Sequence, residues 1–307
     1  CLSAKSTRFM RFSDTALVIE GGGMRNSYTG AVVEKLMREG IEFGWVGGVS
    51  AGASHTANFL AGDPLRTRES FVSIGANPRT GGWGSFVRGR GYFDSNYIYH
   101  EAPLRTFEHS GGRIAAFDFP AFLRNHTPFN IGAFHVDTGS MTWWNRNHTP
   151  TIDALMLRVR ASSTMPGFMI MPHVDGELYA DGALGPSGGI PIDAAEAAGF
   201  RRFLVIMSRP RAYTKGKATP AGILRRVFRT HPAIADALIA RPDHYNATRA
   251  RLLELERGGN AYLFFAENMS VENRERNLHK LQESYRAGRE QAEREWPAIR
   301  EFLGEPD

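Results

Sequence analysis

The run Gly48-Val49-Ser50-Ala51-Gly52 constrains this chain more than any other feature. It joins an apolar segment to a stretch of small, helix-compatible residues. In that setting a serine is forced onto a sharp strand-to-helix turn and exposed as a nucleophile. Glycines at 48 and 52 suit such a turn because it leaves no room for β-carbons on either side. The helix that follows points its N-terminus at the serine, where its dipole favours developing negative charge. Taken alone, the run also arises in ordinary loops, so its reading as a nucleophile elbow rests on its surroundings.

Upstream, Ala16-Leu17-Val18-Ile19-Glu20 reads as a short buried strand leading into Gly21-Gly22-Gly23-Met24-Arg25, and then into a helical pattern from Ser27 to Arg38. Glycines between a strand and a helix leave backbone N–H groups bare and convergent, which suits an anion or an oxyanion. Arg25 adds a positive charge beside them. A tight βα connection or a dinucleotide-type turn is the plainer reading. The dinucleotide fingerprint lacks its third glycine here.

Downstream, Gly176-Glu177-Leu178-Tyr179-Ala180 has the alternation of a strand, and Asp181-Gly182-Ala183 follows it. An aspartate at a strand end faces the rim of an α/β sheet where an elbow serine sits. Alone, it reads as an ordinary Asp-Gly turn.

Order and spacing tie these pieces together. A glycine triplet ending in a basic residue, a G-x-S-x-G run 25 residues after Gly23, and a distal Asp-Gly resemble the patatin-like phospholipase family. Ala161-Ser162-Ser163-Thr164-Met165-Pro166 is similar to that family's Ala-Ser-rich segment. The resemblance covers residues 14 to 208. It implies a three-layer α/β/α fold with a mainly parallel sheet. It also implies a Ser50–Asp181 dyad without histidine, and an oxyanion hole from Gly21, Gly22 and Gly23 supported by Arg25. Ala183 stands where the family usually has a second glycine, and the stretch from Leu184 to Ile190 is longer and richer in glycine. The activity implied is hydrolysis of lipid acyl esters through an acyl-enzyme. An acyltransferase using the same dyad, or a non-catalytic lipid-binding or regulatory module, stays open.

An ordinary α/β-hydrolase triad would need His231, His244 or His279. Against it, only one convincing strand precedes the strand of the elbow, whereas that fold builds several. The ten histidines include no pair at metal-ligand spacing on a helix, His173 reads as structural, and neither metal nor cofactor is implied.

With 307 residues and 42% hydrophobic content the chain can bury a full core. Alternating strand-like and helix-like segments argue for a mainly parallel sheet covered by helices. Helices are expected over Ala51–Ala61, Pro64–Ile74, Thr151–Ala161 and Ile192–Ala198. Strands are expected over Pro128–Asp137, Ser140–Trp144, Phe203–Met207 and Ala261–Ala266. The expected division is an N-terminal segment 1–13, a catalytic domain 14–270 and a helical extension 271–307, with the helix from Val271 to Leu303. Thr80 to Tyr99, carrying Trp83, Phe86, Tyr92, Phe93, Tyr97 and Tyr99, either walls an acyl-chain pocket or completes the core.

Basic residues number 37 against 32 acidic, a balance of +5. Between 201 and 251 twelve Lys or Arg face two Asp. Ala221 to Thr230 mixes Ile223, Leu224, Val227 and Phe228 with Arg225, Arg226 and Arg229. That helix either rests on an anionic membrane surface or is merely solvated. Nucleic acid is a poor partner, since aromatics do not interleave with the basic run. No stretch has the uninterrupted apolar length of a membrane span. Cys1 is the one cysteine, so no intrachain disulfide forms. A cytoplasmic protein is expected, with peripheral membrane contact left open, and a lipid-modified Cys1 is compatible with the sequence.

Overall fold

The computed structural model describes residues 9–109 and 112–307, so Cys1 lies outside the described residues. Its ten strands are β1 (Met10–Ile19), β2 (Ile41–Val49), β3 (Phe107–His109), β4 (Gly112–Ile114), β5 (Phe129–His135), β6 (Met141–Trp144), β7 (His173–Val174), β8 (Glu177–Ala180), β9 (Arg202–Met207) and β10 (Ala261–Phe265). Eight form one sheet in the order β10-β9-β1-β2-β5-β8-β7, with β6 also on β5. From β10 to β5 every pairing is parallel. The pairings of β5 with β6 and β8 are antiparallel, as is that of β7 with β8. β3 and β4 make a separate hairpin.

The central strands read as near-continuous apolar runs because both faces are covered, as parallel sheets require. Along β1, Leu17 and Ile19 enter one core while Ala16 and Val18 enter the other. β9 divides the same way, Leu204 and Ile206 against Phe203, Val205 and Met207. The first core is closed by helices Asn26–Arg38, Ala51–Ala61 and Leu278–Leu303, the second by Ile192–Ala197 and Pro232–Arg257. The result is the expected three-layer α/β/α arrangement around a mainly parallel sheet.

Several expected boundaries move. The helix expected over Pro64–Ile74 ends at Glu69 and continues as turns, and the last helix begins at Leu278 rather than Val271. β1 begins at Met10, inside the expected N-terminal segment. The last helix packs against Asn26–Arg38, where Ser27 Oγ donates to Ser284 Oγ at 2.8 Å. The helix Pro232–Arg257 has no counterpart among the expected helices; Pro242 lies buried within it. Among the described residues no helix is long and apolar enough to cross a membrane, and no cluster of His, Cys, Asp and Glu gathers as a metal site.

Candidate active site

Ser50 sits between the end of β2 and the helix Ala51–Ala61 with φ 55° and ψ −131°. A non-glycine residue in that region is strained, and such strain persists only where the surroundings enforce it. Here they do. A β-carbon at position 48 would collide with the carbonyl of Gly52, and one at 52 with the carbonyl of Ile19. Glycine at both places lets the turn close against β1. The Ser50 amide donates to the Ser162 carbonyl at 3.1 Å and to its hydroxyl at 2.9 Å.

Ser50 Oγ donates to Asp181 Oδ2 at 2.8 Å. The other carboxylate oxygen accepts from the Ala183 amide at 2.8 Å. The strand carrying Asp181 reaches this rim differently from a parallel strand. β8 runs antiparallel to β5, with Ala180 opposite Phe134, and so brings Asp181 back toward the rim from beyond it. Ala183 has no need of a left-handed backbone, since among the described residues only Ser50 and Asp175 are non-glycine residues at positive φ. The site therefore accommodates the departure from Asp-Gly-Gly. Burial raises the Asp181 pKa, while the Ala183 amide, the Arg241 charge and the Ser50 hydroxyl pull it back in part.

The glycine loop passes beside the elbow and is pinned from several sides. The Gly21 amide donates to the Gly189 carbonyl at 3.1 Å, and Met24 N–H donates to the Asn273 carbonyl at 3.0 Å. Buried Glu20 accepts from the Tyr245 hydroxyl at 2.7 Å and from the Ser208 amide. Ser208 Oγ donates to the Gly21 carbonyl at 3.0 Å. The amides of Gly22 and Gly23 find no acceptor among the described residues. Gly21 is thus committed elsewhere, and the two glycines after it are the ones with donors to offer. The long stretch before Pro191 has a structural purpose, because its Gly189 holds this loop.

Two cavities meet at Ser50, Gly23 and Met165. The first, about 140 Å³, is walled by apolar side chains including Met24, Phe71, Ile74, Phe93, Tyr99 and Val159. Of the expected aromatic loop, Phe93 and Tyr99 line it, Tyr97 is buried in a separate core cluster, and Trp83 and Phe86 remain exposed. The second, about 270 Å³, has a mixed lining that is more polar than the first, with Glu20, Arg25, Asp181, Arg209, Lys215 and Arg241 among its residues. No histidine lines either. His55 is fully buried with Nε2 3.1 Å from the Asn26 carbonyl, and burial lowers its pKa to about 4. His231 occupies the N-cap position of the helix Pro232–Arg257 without a side-chain capping bond, His244 lies along that helix, and His279 is exposed beside Glu283. Sequence reading alone missed Ser162, Glu20, Arg209, Lys215 and Arg241.

The chain matches the model of a second family, described only as a domain of unknown function (DUF6363), over residues 231–304. It is 27% identical over 197 residues to the uncharacterized protein YjjU of Escherichia coli strain K12, across 64% of this chain and 52% of that protein. It thus spans about half the length of this curated relative. VipD from Legionella pneumophila superposes with a TM-score of 0.47 and 12% identity, over 97% of this chain and 72% of VipD. The match to patatin-like phospholipase covers residues 17–195, more than half of the chain, and contains the glycine loop, Ser50 and Asp181. The chain therefore belongs to the patatin-like phospholipase family.

Proposed function

We propose that this protein is a serine acyl hydrolase acting on lipid esters through Ser50 and Asp181. The observation that carries the reading is the 2.8 Å hydrogen bond from Ser50 Oγ to Asp181 Oδ2 at the junction of an apolar cavity and one lined in part by charged side chains.

Ser50 Oγ attacks the ester carbonyl carbon while its proton passes to Asp181. The carbonyl becomes a tetrahedral oxyanion. A carboxylate is far weaker as a base than an alkoxide, so the step depends on charge stabilisation at the new oxyanion. The Gly22 and Gly23 amides and the N-terminus of the helix Ala51–Ala61 supply it, and one such donor is worth about 10²–10³ in kcat. Arg25 supports the loop electrostatically. Collapse breaks the bond to the alcohol, which takes the proton from Asp181. Water then gives a proton to Asp181 as it attacks the acyl-enzyme. The acid departs, and the proton returns to Ser50.

The acyl chain fits the apolar cavity. Contact with an anionic membrane surface is supported by the helix Ala221–Val227, where Ile223 and Val227 are exposed together with Arg225 and Arg226. Hydrolysis of a short-chain ester and of a phospholipid by wild type and Ser50→Ala tests the proposal. Turnover lost in a folded Ser50→Ala supports it, and turnover retained there overturns it. Product analysis with an added alcohol acceptor separates hydrolysis from acyl transfer.

A further inference from the structure

The second cavity beside Ser50 carries four cationic side chains, Arg25, Arg209, Lys215 and Arg241, against two carboxylates, Glu20 and Asp181. Among the described residues none of the four lies within salt-bridge distance of a carboxylate, whereas neighbouring Arg211 and Arg251 pair with Glu256 and Glu196. Glu20 keeps its charge while its oxygens accept from Tyr245 and Ser208, and so offsets one of the four cations without pairing with any of them. The cations are held in place by other means. Arg241 Nε donates to the Ala183 carbonyl at 3.1 Å, and the Arg209 guanidinium stacks 4.4 Å from the Tyr213 ring centre. Lys215 Nζ lies 5.5 Å from the Tyr245 ring centre. Arg25 Nε is shielded from solvent with no acceptor among the described residues. Like charges gathered at one cavity repel one another unless an anion joins them. The mutual repulsion is already felt by Lys215, whose pKa burial and the three arginines lower to about 8.

An ester carbonyl at Ser50 has two substituents and two cavities to receive them. The acyl chain suits the apolar one, which leaves the alcohol half for the cationic one. An excess of two positive charges matches a terminal phosphate, which carries about −1.5 to −2 near neutral pH and accepts from guanidinium groups in bidentate fashion.

We propose that Arg25, Arg209, Lys215 and Arg241 form a subsite for a terminal phosphomonoester on the alcohol half of the substrate, so that the enzyme selects strongly anionic acyl esters over zwitterionic ones. The proposal rests on Ser50 being the nucleophile. It also gives the region matched by the domain of unknown function a task. Arg241 and Tyr245 come from the helix Pro232–Arg257, and the Asn273 carbonyl holds the glycine loop, so this region walls the alcohol side of the site rather than standing apart.

The test compares monomeric dihexanoylphosphatidic acid, dihexanoylphosphatidylcholine and dihexanoylglycerol as substrates of wild type, Lys215→Glu and Lys215→Arg, each checked for fold by circular dichroism. In parallel, glycerol 3-phosphate and inorganic phosphate are titrated calorimetrically into Ser50→Ala with and without Lys215→Glu. The expected result is at least a tenfold higher kcat/KM for the phosphatidic acid. Lys215→Glu should erase this preference and Lys215→Arg keep it, and glycerol 3-phosphate should bind unless position 215 is glutamate. Equal turnover of the three esters overturns the subsite while leaving the hydrolase reading intact. Binding of inorganic phosphate without any substrate preference makes it a site for free phosphate and likewise overturns the proposal. If no ester is hydrolysed, the hydrolase reading fails and the titration still decides: binding sensitive to Lys215→Glu supports the subsite, and no binding overturns it.

Discussion

Ser50 and Asp181 are held by one short segment: the Ser50 amide donates to Ser162, and the Asp181 amide donates to the Thr164 carbonyl at 2.8 Å. Ser162 Oγ in turn donates to the Gly132 carbonyl at 2.6 Å, tying the segment to β5. The end of the helix Ile152–Ser162 thus fixes both halves of the proposed dyad through their backbones, independently of the bond between their side chains.

Ser162→Ala should therefore disturb alignment without removing a reacting group. Losing a buried hydroxyl whose partners remain costs about 1–3 kcal/mol of stability. Steady-state kinetics on a soluble ester should give a lower kcat, by about tenfold, with KM little changed, because misplacement of reacting atoms is paid in rate. An unchanged kcat would mean that Ser162 only stabilises the fold.

Activity should fall on acidification as Asp181 gains its proton. Burial raises its folded pKa, so the base form is lost above the ordinary carboxylate value of about 3.9. Arg241 pulls that pKa down, so Arg241→Gln should move the acid limb to still higher pH. The pH profile of kcat/KM on an uncharged ester measures both. A limb that shifts downward in Arg241→Gln would contradict the electrostatic account.

A raised carboxylate pKa in the folded state means that folding is favoured by protonation. The contribution of this one group to stability is then full below the unfolded pKa and is lost as pH rises through the folded value. Asp181→Asn removes this buried charge while keeping the shape of the side chain. It should abolish turnover, by 10³-fold or more, yet melt no lower than wild type at neutral pH. Thermal denaturation beside ester turnover provides the check. A stably folded Asp181→Asn enzyme with substantial activity would exclude Asp181 as base.

Lengthening the acyl chain should raise kcat/KM until the apolar cavity is full, by up to about 0.8 kcal/mol, or about fourfold, for each buried methylene. Val159 lines that cavity, so Val159→Phe should move the optimum toward shorter chains. A series of p-nitrophenyl esters measures the shift, and an unaltered chain-length profile would place the acyl group elsewhere.

The local parts of this site were legible in the sequence because each is written in a few adjacent residues. Strand, glycine loop and helix around Gly21–Gly23 follow one another, as do β2, Ser50 and the helix Ala51–Ala61. The helix Pro232–Arg257 was hidden by Pro242, although Ile234, Leu238, Tyr245, Arg249 and Leu252 repeat at helical spacing. Arg209, Lys215 and Arg241 looked like a diffuse basic stretch, since nothing in their spacing reveals that they line one cavity. Ser162 lay inside the Ala-Ser-rich segment, but its contact with Ser50 spans 112 positions. The antiparallel entry of β8 is likewise a property of pairing, invisible in the strand itself.

The most direct test of the Ser50–Asp181 account is covalent labelling by a fluorophosphonate, read by intact-protein mass spectrometry with peptide mapping of the adduct. One adduct is expected, on Ser50, absent in Ser50→Ala and formed far more slowly in Asp181→Asn. A folded wild type that forms no adduct, or forms it on a different residue, would contradict it.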